Sequence, residues 1–311
     1  MAISAKDVAE LREKTGVGMM ECKKALTEAD GNMGEAIKIL RERGLAVAAK
    51  KASRIAAEGV VDILYCEESK TAAMIEVNAE TDFVAKNDNF RAFVRQCLEV
   101  ILKEKPVGVD ELLEKPCADG SMTVDGLLKE KILQIGENLS IRRFVTVQGI
   151  LSTYIHNRGT IGVIVKVSAD GVVVDGAGFA EFKKNLALQI ASMGPVYVAK
   201  RDVPPSVIDE EREIITNLVK NDPDNAKKPP QVIEKMIEGK LSRYYKDNCL
   251  LEQDYVKEEK MTVSGYIKEY ANKIGASVMV DEFHRFEKGE GLQKREDDFA
   301  DEIAKLTGGA R

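Results

Sequence analysis

The feature of this 311-residue sequence that most constrains its fold is an internal repeat. Segments Met122–Phe144 and Met261–Phe283 align without gaps at an offset of 139 residues, and 9 of the 23 aligned positions are identical. Each copy has the pattern of a short amphipathic helix, a glycine that ends it, and a strand. Two related structural units are therefore expected in the middle of the chain.

Alternating apolar and polar residues upstream of each copy predict a pair of antiparallel strands. The first pair, Gly59–Val77, surrounds a turn at Glu67–Lys70, and the second, Ile150–Val167, surrounds a turn at Asn157–Gly159. A helix with one apolar face follows each pair. These two helices are predicted at Asn89–Glu104 and Phe179–Met193. The pattern predicts an α+β fold with two duplicated subdomains, each an antiparallel sheet covered by helices on one side.

The N-terminal residues 1–44 predict a module of three short helices. Ser4 and Asn32 are suited to cap the first and third helices, and Thr15–Gly18 separates the first from the second. Residues 45–57 are rich in alanine and favour a helical linker, whose basic face is most simply a solvated one. A unit this small has a thin core, which favours a role as a binding surface.

An additional helical segment is predicted inside the second subdomain. Ser206–Lys220 and Gln231–Tyr245 are helical patterns separated by a segment containing proline. Apolar residues such as Ile208, Ile215 and Leu218 lie on one face of the first helix, which predicts a protruding coiled-coil hairpin at about 206–245. The alternative is that both helices pack on the main body.

Composition and charge exclude several classes of function. The chain has 46 basic and 52 acidic residues, and this net charge of −6 argues against nucleic acid as the main partner. No apolar stretch is long enough to span a membrane, and early charges at Lys6, Asp7 and Glu10 leave no room for a signal peptide. Five widely spaced cysteines fit a reducing compartment. A cytoplasmic protein is expected.

Motifs of catalysis and cofactor binding are missing from the sequence. It contains neither a phosphate-binding loop of the G-x-x-x-x-G-K-[ST] type nor a G-x-S-x-G nucleophile motif. Its two histidines do not combine with the cysteines at any usual zinc-ligand spacing. We therefore expect no enzyme activity, cofactor or metal. An enzyme with an unrecognised carboxylate site, and an adaptor that uses the N-terminal module alone, are the alternatives.

Two short segments are candidates for contact with a partner. Met19 and Met20 follow two glycines at a tight turn, and adjacent residues cannot both face the core side of one helix. Phe83 and Val84 are apolar residues in a loop, between a strand and a helix, that is rich in Asn, Asp and Thr. Each segment also has a purely structural interpretation. One methionine would lie in the core, and Phe83 would be tucked beneath the loop with Asp82 as a helix cap.

Taken together, four sequence motifs resemble those of the bacterial elongation factor Ts family. They are Thr15–Leu26, Thr81–Asn87, the group Gly136-Glu137-Asn138 with Ile141-Arg142-Arg143, and Phe286–Gly291. They span nearly the whole chain in the expected order. The resemblance implies a guanine nucleotide exchange factor for the GTPase elongation factor Tu. It also implies no nucleotide site of the chain's own. The sequence departs most from the family at Asp222–Pro230 and Cys249–Lys260.

The resemblance also implies an organisation and a set of contacts. The units would be 1–56 (N-terminal helical module and linker), 57–145 and 146–287 (core subdomains), and 288–311 (a short C-terminal helical module). The residues expected to contact the partner's GTP-binding domain are Gly16, Val17, Met19 and Met20. The loop Thr81, Asp82, Phe83 and Val84 would intrude near the partner's magnesium site, with Asp82 and Phe83 at its tip. His156 is a weaker candidate for contact with a more distant domain of the partner.

Overall fold

The structure is a computed structural model, and residues 3–170, 176–225 and 228–293 of it are described here. Within these ranges the chain forms eleven α-helices and six β-strands in two small antiparallel sheets, consistent with the expected α+β class. None of the helices in the described ranges is long and apolar enough to cross a membrane. Most of the predicted C-terminal module, residues 294–311, lies outside the described residues.

The elements occur in the following order along the chain. The helices are α1 (Ala5–Thr15), α2 (Met19–Glu28), α3 (Met33–Lys51), α4 (Asp82–Ala85), α5 (Asp88–Glu104), α6 (Val109–Glu114), α7 (Val124–Ile135), α8 (Ala177–Met193), α9 (Pro205–Asn221), α10 (Pro230–Asn248) and α11 (Val263–Ile274). The strands are β1 (Glu58–Cys66), β2 (Thr71–Ala79), β3 (Leu139–Gln148), β4 (Ile150–His156), β5 (Ile161–Asp170) and β6 (Ser277–Glu287). Single-turn 3₁₀ helices occur at Lys200–Asp202, Pro223–Asn225 and Leu250–Glu252.

Both sheets have the predicted hairpins, and the repeat supplies the third strand of each. The first sheet has the order β1-β2-β3 and the second β4-β5-β6, with neighbouring strands antiparallel. In each repeat copy a threonine caps the helix: Thr123 accepts a hydrogen bond from the Gly126 N–H at 3.2 Å, and Thr262 from the Gly265 N–H at 3.1 Å. The glycine that follows each helix, Gly136 or Gly275, is left-handed. Local capping therefore explains several of the identical positions.

Each sheet has a β-bulge at the same position of the repeat, and the bulged residues of the two sheets carry opposite charges. The pairing of β2 with β3 skips Arg142, and the pairing of β5 with β6 skips Asp281, which is the aligned residue of the repeat. Beside the first bulge Arg143 forms an ion pair with Glu76 at 2.7 Å. Beside the second, Lys166 pairs with Glu282 at 3.2 Å. The same backbone geometry is thus retained with opposite side-chain charges.

The core is built in layers, with the two sheets packed against each other. Helix α5 covers one face of the first sheet and α8 covers one face of the second. The remaining faces meet in an apolar cluster formed by Val61, Ala72, Met74, Val147, Leu151 and Ile164. Gly162 permits this approach, since a Cβ there would lie 2.5 Å from Val61 Cγ1 and 2.9 Å from Met74 Sδ.

The N-terminal helices have their own core, and the third is longer than predicted. Ser4 and Asn32 cap α1 and α3 as expected, accepting hydrogen bonds from the N–H groups of Asp7 and Glu35. The third helix was expected within residues 1–44, with a separate helical linker after it, but α3 runs from Met33 to Lys51 without a break at Gly44. A Cβ at Gly44 would lie 3.4 Å from the Lys129 carbonyl oxygen, so this glycine brings α3 close to α7. It serves packing rather than termination.

Helices α9 and α10 form the predicted hairpin, held by a separate apolar cluster. Its buried residues are Ile215, Val219, Ile237 and Leu241. The prediction that Leu218 faces the seam is wrong, because Leu218 is exposed and Val219 takes its place. The seam follows the i, i+4 spacing of Ile215 and Val219 rather than the i, i+3 spacing that was assumed.

Candidate functional site

The loop Thr81–Val84 leaves the first sheet directly after β2 and presents an exposed aromatic ring. Phe83 is 78% exposed, whereas its neighbour Val84 is 6% exposed and belongs to the core beneath α5. Both residues lie in the single turn α4. Phe83 is therefore not tucked beneath the loop, and the structural interpretation of this residue is wrong. Val84 anchors the turn while Phe83 projects from it.

Asp82 provides a negative charge next to the exposed ring. Its Oδ2 accepts a hydrogen bond from the Lys86 ammonium at 2.6 Å, and this ammonium lies 5.6 Å from the centre of the Phe83 ring. The hydrogen bond from Lys86, with the charges of Lys86 and Lys288, lowers the pKa of the Asp82 carboxyl below its ordinary value. Asp82 is accordingly ionised at neutral pH. Thr81, not Asp82, occupies the cap position of α4.

Two crossed carboxylates brace the base of this loop. Glu137 accepts hydrogen bonds from the Thr81 N–H at 2.9 Å and the Thr81 hydroxyl at 2.6 Å. In the opposite direction, Glu80 accepts a hydrogen bond from the Asn138 N–H at 2.6 Å. Neither glutamate is distinguished in the sequence by a pattern that predicts this contact. The only signal is that Glu137 lies in the motif Gly136-Glu137-Asn138, which by itself does not indicate Thr81 as its partner.

The turn between α1 and α2 exposes both adjacent methionines. Met20 is 66% exposed and Met19 is 41% exposed, so neither is a core residue, contrary to the structural alternative. Gly16 ends α1 in the left-handed conformation, with φ of 65°. Val17, in contrast, is buried in the core of the N-terminal helices. The turn therefore presents Met19 and Met20 while Val17 holds it in place.

The C-terminal end of α7 holds both of these segments. Gln134 donates a hydrogen bond to the Thr15 carbonyl oxygen at 2.5 Å, next to the methionine turn. Three residues later, Glu137 binds Thr81. Lys51 of α3 adds a hydrogen bond to the Gly136 carbonyl oxygen between them. The two candidate contact segments, which are far apart in sequence, are thus attached to the last turn of α7 and to the residue just after its C-terminal cap.

His156 lies at the end of β4, on the second sheet. Its ring is exposed, and Nδ1 lies 3.1 Å from the Tyr154 hydroxyl. The turn that follows is tied to the first sheet, because the Gly159 carbonyl accepts a hydrogen bond from the Val61 N–H at 2.8 Å. Arg91 of α5 also donates to the Arg158 carbonyl at 2.8 Å. The position of His156 relative to the first sheet is therefore fixed.

Comparisons with known proteins agree in assigning the chain to one family. Residues 80–290 match the family model described as Elongation factor TS. The chain is 43% identical over 309 residues to the elongation factor Ts of Clostridium botulinum strain Alaska E43, covering 98% of this chain and 99% of that relative. It is 43% identical over 313 residues to the elongation factor Ts of Trichlorobacter lovleyi, covering 99% of each.

Among the described residues, no group of three or more His, Cys, Asp or Glu side chains is arranged to hold a metal ion. The family match includes the braced loop, strand β3 and the whole second sheet, and the similarity to the relatives extends over the first two strands and the N-terminal helices. The chain therefore belongs to the elongation factor Ts family of translation elongation factors.

Proposed function

We propose that the protein is a guanine nucleotide exchange factor that binds GDP-bound elongation factor Tu and promotes release of GDP. Membership of the elongation factor Ts family supports this function. The observation that carries the proposal is the exposed Phe83, which projects from a braced turn beside the ionised Asp82. A solvent-exposed aromatic ring on a rigid turn is suited to insert into an apolar site of a partner protein.

The proposed mechanism acts on the phosphate and magnesium site of the partner. A bound nucleoside diphosphate is held by backbone N–H groups and by a Mg²⁺ ion that requires near-octahedral coordination. Insertion of Phe83 between neighbouring elements would shift them and disturb that coordination. Asp82 would bring a negative charge, or a hydrogen-bond acceptor, beside the metal site. Loss of the metal leaves the phosphate charge poorly neutralised, and GDP dissociates so that GTP can bind.

The remaining contacts would provide affinity rather than displacement. We propose that Met19 and Met20 pack on the GTP-binding domain of elongation factor Tu, where flexible thioethers adapt to a groove. Gly16 and the buried Val17 would support this turn. His156 is proposed to contact a more distant domain. Coupling is reciprocal: the factor by which this protein weakens GDP binding equals the factor by which GDP weakens binding of this protein.

The same proposal includes the activities and ligands that the protein lacks and its division into units. We propose that the protein is not an enzyme, binds no nucleotide, nucleic acid or membrane directly, and acts in the cytoplasm with its partner. The proposed units are 1–56, 57–145, 146–287 with the hairpin at about 206–245, and 288–311. An exchange factor of this kind needs no cofactor, since binding energy alone shifts the affinity of the partner for its nucleotide.

The experiment that tests the function is release of fluorescent GDP from purified elongation factor Tu, followed with and without this protein. Strong acceleration by the wild-type protein is expected. Phe83→Ala and Asp82→Asn should each reduce the acceleration while binding to the partner persists. If neither substitution reduces the acceleration, the protein is still an exchange factor, but the proposed displacement by Phe83 and Asp82 is wrong. No acceleration by the wild-type protein would overturn the function itself.

A further inference from the structure

The backbone just beyond the β2–β3 ladder is satisfied by side chains. The last backbone pair of the ladder is Ala79 with Leu139. Beyond it, the N–H groups of Thr81 and Asn138 need other acceptors, because unpaired backbone donors are costly when partly buried. The carboxylates of Glu137 and Glu80 supply these acceptors reciprocally. The segments that follow β2 and precede β3 are thus held together past the point where the sheet ends.

Glu137 constrains Thr81 more strongly than Glu80 constrains Asn138. Its two carboxylate oxygens bind different groups of Thr81, one the N–H at 2.9 Å and the other the hydroxyl at 2.6 Å. This pair of contacts sets both the backbone and the side-chain rotamer of Thr81. Hydrogen bonds to a charged acceptor are stronger than neutral ones, so the arrangement is stiff.

Thr81 is the residue from which the turn carrying Phe83 begins. It occupies the N-cap position of α4, yet its hydroxyl does not cap that turn because it is directed to Glu137. The direction of α4, and with it the direction of the Phe83 ring, therefore depends on the geometry at Thr81. On the other side, Asn87 caps α5 by accepting hydrogen bonds from the N–H groups of Asn89 and Phe90.

The internal repeat shows that the fold does not require this carboxylate. The residue aligned with Glu137 in the second copy is Ala276. Helix α11 nevertheless ends at a left-handed Gly275, and β6 pairs with β5 from Ser277 onward, one position earlier than the pairing of the first copy begins. A helix–glycine–strand unit with the same bulge therefore forms without a glutamate at this position. The carboxylate serves the loop rather than the sheet.

We infer that Glu137 is a positioning residue for nucleotide exchange, which holds Thr81 so that Phe83 is presented in the orientation needed to enter the partner. The inference rests on the proposed exchange function. It assigns Glu137 no contact with the nucleotide, the metal or the reacting groups. Its effect passes through Phe83 and therefore appears in the displacement step rather than in the affinity for the partner.

The test is the GDP-release assay performed as a titration of elongation factor Tu with the wild-type protein, Glu137→Gln, Phe83→Ala and the double variant. Glu137→Gln keeps the size of the side chain but removes its charge and leaves one acceptor oxygen for Thr81 instead of two. We expect the maximal exchange rate to fall about tenfold, with little change in the concentration that gives half of it. In the Phe83→Ala background the same substitution should cause no further loss.

Glu111→Gln is the matched control. Glu111 also accepts a backbone N–H, that of Val107 at 2.8 Å, in a loop that is not part of the proposed site. It should leave exchange unchanged. Should Glu137→Gln fail to fold, Thr81→Val removes the hydroxyl contact alone and carries the same comparison. An unchanged maximal rate, or an equal loss with and without Phe83, would overturn the inference.

A second measurement separates this inference from the proposed function. Hydrogen exchange of the Thr81 amide in the isolated protein should become faster in Glu137→Ala than in the wild type, because this variant removes both acceptor oxygens. Were the wild-type protein not to accelerate GDP release, the exchange function would be wrong, while this readout would still report the brace. An unchanged Thr81 amide would overturn the brace itself.

Discussion

The N–H of Gly289 donates a hydrogen bond to the carboxylate of Glu76 at 2.8 Å, across a separation of 213 residues. Glu76 lies in the central strand of the first sheet and is completely buried. Arg142 and Arg143 bind the same carboxylate at 3.0 Å and 2.7 Å. The segment just after β6, the last strand of the second sheet, is therefore bound to the central strand of the first sheet.

This fastening explains the Phe286–Gly291 motif in structural terms. Lys288 forms an ion pair with Glu58, and its N–H donates to the Thr160 carbonyl oxygen at 2.9 Å. The Arg143 guanidinium stacks over the Phe286 ring, 4.2 Å from its centre. These contacts fix how the two sheets sit together, so they fix His156 relative to the Thr81–Val84 loop.

Glu76→Gln tests the energetic role of this buried carboxylate. We expect a loss of about 3 kcal/mol in the free energy of unfolding, since the substitution removes the charge that two arginines face. Urea unfolding followed by circular dichroism measures it. The control is Glu99→Gln, which removes an exposed partner of Arg95 and should change stability by less than about 0.5 kcal/mol. Equal unfolding midpoints for the two variants would contradict this prediction.

Gly162→Ala tests the packing of the two sheets. The added methyl group would overlap Val61 and Met74, so we expect a loss of about 1–3 kcal/mol in the free energy of unfolding. The same change at Gly239, within α10, meets no atoms within 4 Å and should stabilise the protein by about 0.5–1 kcal/mol. Thermal unfolding of the two variants should therefore shift in opposite directions, and a shift in the same direction would argue against close sheet contact at Gly162.

Substitutions at the adjacent residues Phe83 and Val84 should have different effects, one on GDP release and the other on the free energy of unfolding. Val84→Ala removes buried apolar volume and is expected to cost about 1.5–3 kcal/mol of stability. Phe83→Ala removes an exposed ring and should leave the unfolding midpoint nearly unchanged while it reduces GDP release. Paired unfolding and exchange measurements provide the comparison. A strong destabilisation by Phe83→Ala would show that its ring packs in the fold.

The Asp82 carboxyl should titrate below the ordinary aspartate pKa of about 3.9, because Lys86 binds its ionised form. The lowered pKa means that this contact stabilises the folded protein above the ordinary value, and that the stabilisation is lost as the pH falls through the lower folded-state pKa. Lys86→Met should therefore raise the pKa of Asp82. Carbon-detected NMR titration of the carboxyl group measures it, and an unchanged midpoint would exclude Lys86 as the cause.

Met20→Ala should weaken binding without loss of stability, because its side chain is 66% exposed. The concentration that gives half-maximal exchange is expected to rise about tenfold, with the maximal rate retained. Val107→Ala is the control, since Val107 is also exposed but lies in the loop before α6. A fall in the maximal rate with unchanged affinity would show that Met20 acts in the displacement of GDP and not in binding of the partner.

Features governed by short-range rules could be predicted from the sequence alone. The caps at Ser4 and Asn32, the two hairpins and the helix–glycine–strand repeat depend on residues within a few positions of one another. The candidate loop was also found from its composition, because an aromatic residue among Asn, Asp and Thr is unusual. Alternation and capping chemistry therefore determined the elements, and local composition marked the two candidate segments.

Contacts between distant segments were decided only by the tertiary structure. Gly44 continues a helix because α7 packs against it, and Val17 is buried because α1–α3 close around it. That Glu137 braces Thr81 depends on the pairing of β2 with β3, which brings residues 56 positions apart within hydrogen-bond distance. A glutamate has the same local pattern whether it is solvated or binds a remote donor. Only the folded chain distinguishes the two cases.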